Sequence, residues 1–233
     1  MAEEEIQRLA EQCKNRLNLC DATLGDEYYY QSLPLCVIDA VFSIGIRYTT
    51  TRGIVRKFCT AAGWKQFRKH GSDYPPVEEQ DSIDNLLALY KGRDFNQISA
   101  MYFSRHRTSS SGGILKTEAV KGFCEALRKC GINFYQDLPD KMEDQGLEHS
   151  IKAIKGQGSG LSLDYFYMLA GNEGLVKPDR MVIRFVESSI GRGTTSNEAS
   201  DLVIQACDLL KKDFPTLTPR LLDFEIWNFQ KDR

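Results

Sequence analysis

The sequence predicts an all-α protein. Apolar residues recur at intervals of three and four through most of the 233 residues, and no segment alternates as a half-buried strand does. Capping residues and glycines separate the segments. No repeat and no linker divides the chain, so we expect residues 1–233 to form a single helical unit. With 42% hydrophobic residues, it can build one core or two tightly packed lobes.

The first 63 residues predict three helices. The opening helix has a 3-4 spacing through Ile6, Leu9, Cys13 and Leu17. The run Leu35–Ile46 is apolar enough for a buried helix. A third helix follows, with caps at Thr49–Thr51 and a stop at Gly63.

The middle of the chain alternates loops and helices. Residues 70–82 contain Pro75-Pro76 and many polar residues, which indicates a loop, and a helix follows through Leu86 and Tyr90. A serine and glycine tract at Thr108–Gly113 is a second loop. After it, apolar positions from Leu115 to Cys130 mark a long amphipathic helix.

The last third predicts four helices after a short one that ends near Ile154. The segment Leu161–Leu169 is rich in apolar and aromatic residues and should be central. Another helix starts at Asp179. The sequence Thr195–Glu198 is typical of a capping box, and Thr218-Pro219 begins the final helix.

Composition excludes several classes of protein. The net charge is −2, so nucleic-acid binding would need a local basic face. The seven cysteines include no C-x-x-C, which favours reduced core thiols in a cytoplasmic or nucleoid-associated protein and predicts no metal held by side chains. The acidic start Met1–Glu5 is not a secretory signal, and no apolar run is long enough for a bilayer.

The most informative pattern is a set of alternating glycines at 156, 158 and 160. Glycine permits backbone angles that other residues avoid, so these positions predict a tight glycine hairpin (residues 154–160) that opens a helix. Backbone amides and a helix N-terminus together form a seat for a phosphate. The alternative is an ordinary turn between helices.

Asp179 follows Gly160 by 19 residues and begins a helix after Pro178. A carboxylate at this position is either a plain N-cap or a catalytic group, and one residue can fill both roles. Lys155, Lys177 and Arg180 add positive charge near the two features.

These residues resemble the helix-hairpin-helix (HhH-GPD) DNA glycosylase superfamily. The resemblance rests on residues Ile154–Gly160 and Pro178–Phe185 and extends more weakly to Leu35–Phe58 and Leu221–Trp227. It implies a two-lobed helical fold like that of these enzymes, with approximate lobes at 36–172 and at 1–35 plus 173–233.

The resemblance also implies roles for individual residues. The catalytic aspartate of the family falls on Asp179. Its phosphate-binding hairpin falls on Gly156, Gln157, Gly158, Ser159 and Gly160, with a monovalent cation at backbone carbonyls and no other cofactor. The family's Schiff-base lysine would fall on Gly160, so a monofunctional enzyme is expected, and the cysteines of the iron–sulfur branches are absent.

The implied activity is hydrolysis of the N-glycosidic bond of a damaged or modified base that is flipped out of double-stranded DNA. A carboxylate beside the sugar stabilises the oxocarbenium-like transition state. We expect a monomer that leaves an abasic site. The alternatives are a non-catalytic helix-hairpin-helix DNA-binding protein and a helical interaction protein without nucleic acid.

Three residues are candidates for a base pocket. Asp39 stands in an apolar helix, where it must face a cavity or form a buried hydrogen bond. Tyr30 and Trp227 are candidates for stacking on the base or for core packing. The segment Arg105–Arg107 is either a DNA-contacting arm or a solvated loop.

Overall fold

The computed structural model describes residues 2–69 and 73–231, and the regular secondary structure of these residues is helical, with no β-strand. They form eleven α-helices: α1 Ala2–Arg16, α2 Leu33–Ser43, α3 Tyr48–Ala62, α4 Ile83–Ala88, α5 Phe95–Tyr102, α6 Lys116–Lys129, α7 Gln145–Lys152, α8 Leu161–Leu169, α9 Arg180–Ile190, α10 Ser196–Leu210 and α11 Pro219–Gln230. The all-α prediction is confirmed. Among the described residues, no helix combines the length and the apolar character that a membrane span requires.

The chain divides into two compact units. One, the hairpin unit, is Gly25–Ala170, and the other, the terminal unit, combines Met1–Leu24 with Gly171–Arg233. The first boundary lies eleven residues before the expected one at 36. The reason is backbone pairing, because Gln31 N–H donates to Gln66 O at 3.0 Å and Arg68 N–H to Tyr29 O at 2.9 Å, which ties residues 29–31 to the segment after α3.

Helix α2 is the core of the hairpin unit. Every residue from Leu33 to Phe42 is buried, and α3, α6 and α8 pack around it. A helix that is apolar on every side, as α2 is apart from Asp39 and Ser43, needs such complete cover. At the C-terminal end of α2, the buried Lys116 ammonium donates hydrogen bonds to Val41 O and Ile44 O at 2.7 Å each.

The terminal unit packs α1 against α9 and α10, with α11 against α9 and α10. Its core contains Leu9, Phe185, Val203 and Ile226. At the surface, the Arg192 guanidinium donates to Glu5 at 2.8 Å and to Glu198 at 2.6 Å. This pairing joins the first helix of the chain to the start of α10.

All seven cysteines are free, and five of them are buried. Burial raises the pKa of the Cys13 and Cys59 thiols to about 12. These thiols stay protonated near neutral pH and act as small apolar side chains.

Candidate nucleic-acid interface and catalytic carboxylate

The glycine hairpin lies between α7 and α8. Gly156 has φ +89° and Gly160 has φ +79°, a region that favours glycine. Two hydrogen bonds close the turn, from Gln157 N–H to Ile154 O at 2.8 Å and from Gly160 N–H to Gln157 O at 3.0 Å. The sequence therefore folds here as a turn that only these glycines allow.

Not every residue of the hairpin offers an amide to a ligand. The amides of Gln157 and Gly160 are used inside the turn, whereas those of Gly156, Gly158 and Ser159 have no acceptor within the described residues. Both Gly158 and Ser159 are exposed, and α8 starts two residues later. Fewer residues can therefore donate a backbone amide to an anion than the five that the sequence predicted.

Gln157 occupies the place where the pattern of the helix-hairpin-helix DNA glycosylases has an apolar residue. Its side chain is only 2% exposed, and neither atom of its amide group has a hydrogen-bond partner in the described residues. The side chain therefore faces the interior, and its contribution to the hairpin is the backbone turn.

A second turn, residues 104–116, packs against the hairpin. A β-carbon added to Gly156 would lie 2.3 Å from the β-carbon of Thr108. The base of the 104–116 turn is held by hydrogen bonds from Thr108 N–H to Ile114 O and from Lys116 N–H to His106 O. The structure thus holds the serine and glycine tract at its base rather than leaving it a free arm.

The 104–116 turn presents basic side chains to solvent. Arg105, His106 and Arg107 are exposed. Arg107 donates to Gly113 O at 2.7 Å and so holds the turn, whereas Arg105 has no hydrogen bond or ion pair within the described residues. Lys155 of the hairpin is also exposed. Two cationic groups are therefore available to a ligand on this part of the hairpin unit.

Lys152 lies against Gly160, the position where bifunctional members of the helix-hairpin-helix glycosylase superfamily carry a lysine. A β-carbon on Gly160 would lie 2.8 Å from Lys152 Cε. The Lys152 ammonium donates to Glu148 Oε1, and this hydrogen bond raises the pKa of Lys152. Because a nucleophilic amine must be unprotonated, this arrangement disfavours Schiff-base chemistry.

Asp179 is the N-cap of α9 in the terminal unit. Its Oδ1 accepts from Met181 N–H at 2.7 Å and from Val182 N–H at 3.2 Å. Its Oδ2 accepts no hydrogen bond from the described residues, and the side chain is half-buried. One oxygen thus fixes the carboxylate and the other is available.

The other residues predicted near Asp179 have separate positions. Arg180 is exposed at the first position of α9, and Lys177 is half-buried, with its backbone amide bound by Asp223. Lys177, Asp179 and Arg180 belong to the terminal unit, whereas Lys155 and the glycine hairpin belong to the hairpin unit.

Asp223 is a residue that the sequence analysis assigned no role. It lies on α11, is 8% exposed, and accepts the Lys177 N–H at 3.0 Å through Oδ1. Burial, and then the negative charge of Asp179, raise the pKa of Asp223 well above its ordinary value. The signal in the sequence was an acid between apolar neighbours, as at Asp39.

The candidate pocket residues do not share one unit. In the hairpin unit, the Tyr30 hydroxyl and the Ser43 hydroxyl each donate to Asp39 at 2.7 Å, and Tyr30 and Asp39 are buried. Burial raises the pKa of Tyr30. The buried hydrogen bond, one of the two alternatives for Asp39, is what the structure has.

Trp227 lies in the terminal unit, half-buried on α11, with the Lys231 ammonium 5.4 Å from the centre of its ring. A role for Trp227, Tyr30 or Asp39 in holding a base stays a prediction.

Comparison with known proteins gives one result. Searches of curated proteins and of solved structures find no match to the chain. A family model, described as a domain of unknown function (DUF8548), matches residues 7–231. Because this match covers nearly the whole sequence, the chain belongs to the DUF8548 family.

Proposed function

We propose that this protein is a monofunctional DNA glycosylase. It hydrolyses the N-glycosidic bond of a damaged or modified base flipped out of double-stranded DNA and leaves an abasic site, acting as a monomer in the cytoplasm or nucleoid. The observation that carries the proposal is the geometry of Asp179, which is oriented through Oδ1 and available through Oδ2.

The proposed chemistry assigns Asp179 to the sugar. As the bond from C1′ to the base breaks, its electron pair leaves with the base and positive charge develops on the sugar. Asp179 Oδ2 stabilises that charge and takes a proton from the water that adds to C1′. The proton then passes to solvent or to the departing base, so the carboxylate is regenerated.

The glycine hairpin is assigned to a backbone phosphate. The free amides of Gly158 and Ser159 and the N-terminus of α8 supply donors and partial positive charge without reading sequence. Arg105 and Lys155 extend this phosphate contact on the same unit. Lys177 and Arg180 are assigned phosphate contacts from the terminal unit.

The resemblance also implies a monovalent cation at hairpin carbonyls. The carbonyls of Ile154 and Gln157 each accept one hydrogen bond inside the turn. A carbonyl oxygen has a second lone pair, so these are the two oxygens of the turn that would hold such an ion. When bound, it would add positive charge beside the phosphate.

The proposal is tested with a panel of duplexes that carry damaged, mismatched or enzymatically modified bases. Alkali cleavage after incubation reveals abasic sites, and chromatography identifies the free base. Base release from at least one duplex is expected. A protein that binds DNA with steep salt dependence but releases no base would instead be the non-catalytic alternative, which the plain capping role of Asp179 favours.

We expect no covalent adduct when an active reaction is treated with borohydride. Gly160 has no side chain, and the Lys152 ammonium is held by Glu148, so neither of these two positions presents a neutral amine to C1′. The measurement is gel electrophoresis of the trapped mixture. Lys152→Ala should leave base release within about threefold of the wild type. An adduct that disappears in Lys152→Ala would contradict the monofunctional assignment.

Arg105→Ala and Lys155→Ala should each weaken binding to undamaged duplex to a similar degree on every sequence. Each lost phosphate contact should reduce the slope of log K against log salt by about 1. Fluorescence anisotropy at several salt concentrations measures both quantities.

Lys129→Ala is the charge-matched control for these two variants. Lys129 is exposed at the C-terminal end of α6, whereas a β-carbon added to Gly122, in the middle of that helix, would lie 3.4 Å from Cδ1 of the hairpin residue Ile154. An unchanged slope in Arg105→Ala and Lys155→Ala, or an equal change in Lys129→Ala, would remove these residues from the interface.

A further inference from the structure

A buried acid lies next to the proposed catalytic carboxylate. Asp223 on α11 accepts the backbone amide of Lys177, two residues before Asp179, and the negative charge of Asp179 raises the pKa of Asp223. Asp223 is 8% exposed, so it is not positioned to contact DNA directly. Any effect of Asp223 on a ligand therefore acts through a neighbouring residue.

The neighbour is the three-residue segment that leads into α9. Asp223 Oδ1 accepts the Lys177 N–H at 3.0 Å, and Lys177 O accepts the Asp179 N–H at 2.7 Å. Between them, the ring of Pro178 restricts φ and leaves few alternative backbone conformations. One side-chain oxygen on α11 thus anchors the segment whose other end is the N-cap carboxylate.

We propose that Asp223 is the positioning residue for Asp179: it tethers Lys177–Asp179 to α11 and so fixes where the available Oδ2 points. This inference rests on the proposed glycosylase function. Near-attack geometry is sensitive to displacement, and a shift of about 1 Å can lower a rate by about 10²-fold. A tether in the preceding turn is therefore expected to matter for rate more than for DNA affinity.

Burial, and then the charge of Asp179, favour a neutral acid at Asp223. Asp179 opposes its ionisation, whereas Lys177 and Arg220 favour it. The Arg220 guanidinium is itself engaged by Glu173 at 2.7 Å. Burial and Asp179 have the larger effect, so Asp223 keeps its proton to higher pH than an ordinary aspartate.

Two substitutions separate the hydrogen bond between Asp223 and Lys177 from the ionisation of Asp223. Asp223→Asn keeps an oxygen acceptor for the Lys177 amide and should retain the single-turnover rate within about threefold. Asp223→Ala removes the acceptor and should lower that rate about 10- to 100-fold, a larger change than in DNA affinity, to which Lys177 is only one contributor. Thr218→Ala is the stability control, because it removes the cap of α11 without touching Asp223. Equal rates in Asp223→Ala and Thr218→Ala would overturn the proposal.

Hydrogen exchange reports on the tether without any catalytic activity. Exchange at the Lys177 amide should accelerate at least tenfold in Asp223→Ala and stay near the wild-type rate in Asp223→Asn. Unchanged exchange in Asp223→Ala would overturn the tether. If no DNA substrate releases a base, the glycosylase proposal fails, and this measurement still decides whether Asp223 holds the segment.

Titration gives a second independent readout. The carboxyl carbon of Asp223, followed by NMR, should have a lower midpoint in Asp179→Asn, because the charge that opposes ionisation is gone. An unmoved midpoint would overturn the coupling between the two carboxyl groups.

The raised pKa of Asp223 should also make the stability of the protein depend on pH. The raised pKa means that the contribution of Asp223 to stability is complete below its unfolded pKa and is lost as pH rises through its folded pKa. Asp223→Asn lacks that loss, so its Tm relative to the wild type should rise between acid and neutral pH. A Tm difference that is flat across that range would contradict the buried neutral acid.

Discussion

Asp179→Asn is expected to lower the rate of base release by about 10²- to 10³-fold. The neutral amide does not stabilise the developing positive charge on the sugar, and it is a poor acceptor for the proton of water. The fold should remain, because asparagine is as good an N-cap as aspartate and keeps an oxygen for Met181 and Val182. Single-turnover kinetics on the duplex that the panel identifies measures the effect.

Asp94→Asn is the matched control. Asp94 is the N-cap of α5 and accepts from Asn96 N–H and Gln97 N–H at 2.8 Å each, which repeats the cap geometry of Asp179 at a site without a proposed role in chemistry. Both variants should show similar small changes in Tm and DNA affinity. Undiminished base release in Asp179→Asn, or an equal loss in Asp94→Asn, would remove Asp179 from the chemistry and leave it as a cap.

Local patterns predicted most of the helices because capping and periodicity act over a few residues. Thr218 caps α11 as expected, with Leu221 N–H donating to its hydroxyl, and the apolar segment Leu161–Leu169 is a buried helix. Gly63 ends α3 with φ +72°. These features depend only on neighbours along the chain, which a single sequence contains.

Two cap predictions were wrong in detail. Thr49–Thr51 lie inside α3, whose N-cap is Arg47. Thr195 does cap α10, but the Glu198 carboxylate pairs with Arg192 instead of completing a capping box. In the second case a charged partner competes with the local backbone amide, and an ionic hydrogen bond is stronger than a neutral one.

Contacts between residues that are distant along the chain could not be predicted from the sequence. The boundary near residue 25 follows from pairing of residues 29–31 with 66–68, and Asp223 contacts a residue 46 positions away. The sequence did contain the unusual acid in each apolar helix, Asp39 in α2 and Asp223 in α11. It did not contain the partners, which depend on how helices pack.

Gly156→Ala is expected to lower the free energy of unfolding by about 2–5 kcal/mol. A positive φ of +89° strains any residue with a β-carbon by about 1–2 kcal/mol, and the new methyl group would lie 2.3 Å from Thr108 Cβ, which adds an overpacking cost of about 1–3 kcal/mol. Denaturant unfolding measures the change. The same displacement should weaken DNA binding, because it moves the free amides of Gly158 and Ser159.

Gly131→Ala isolates the backbone term, since Gly131 has φ +77° in the same unit and no atom within 4 Å of an added β-carbon. Its cost should be about 1–2 kcal/mol, with DNA binding unchanged. Thr108→Gly in the Gly156→Ala background should recover the packing term, because the clash involves the Thr108 side chain. In a double-mutant cycle the coupling should be about 1–3 kcal/mol. Additive effects would mean that the 104–116 turn and the glycine hairpin move independently, and Arg105 would then lose its fixed place beside the phosphate seat.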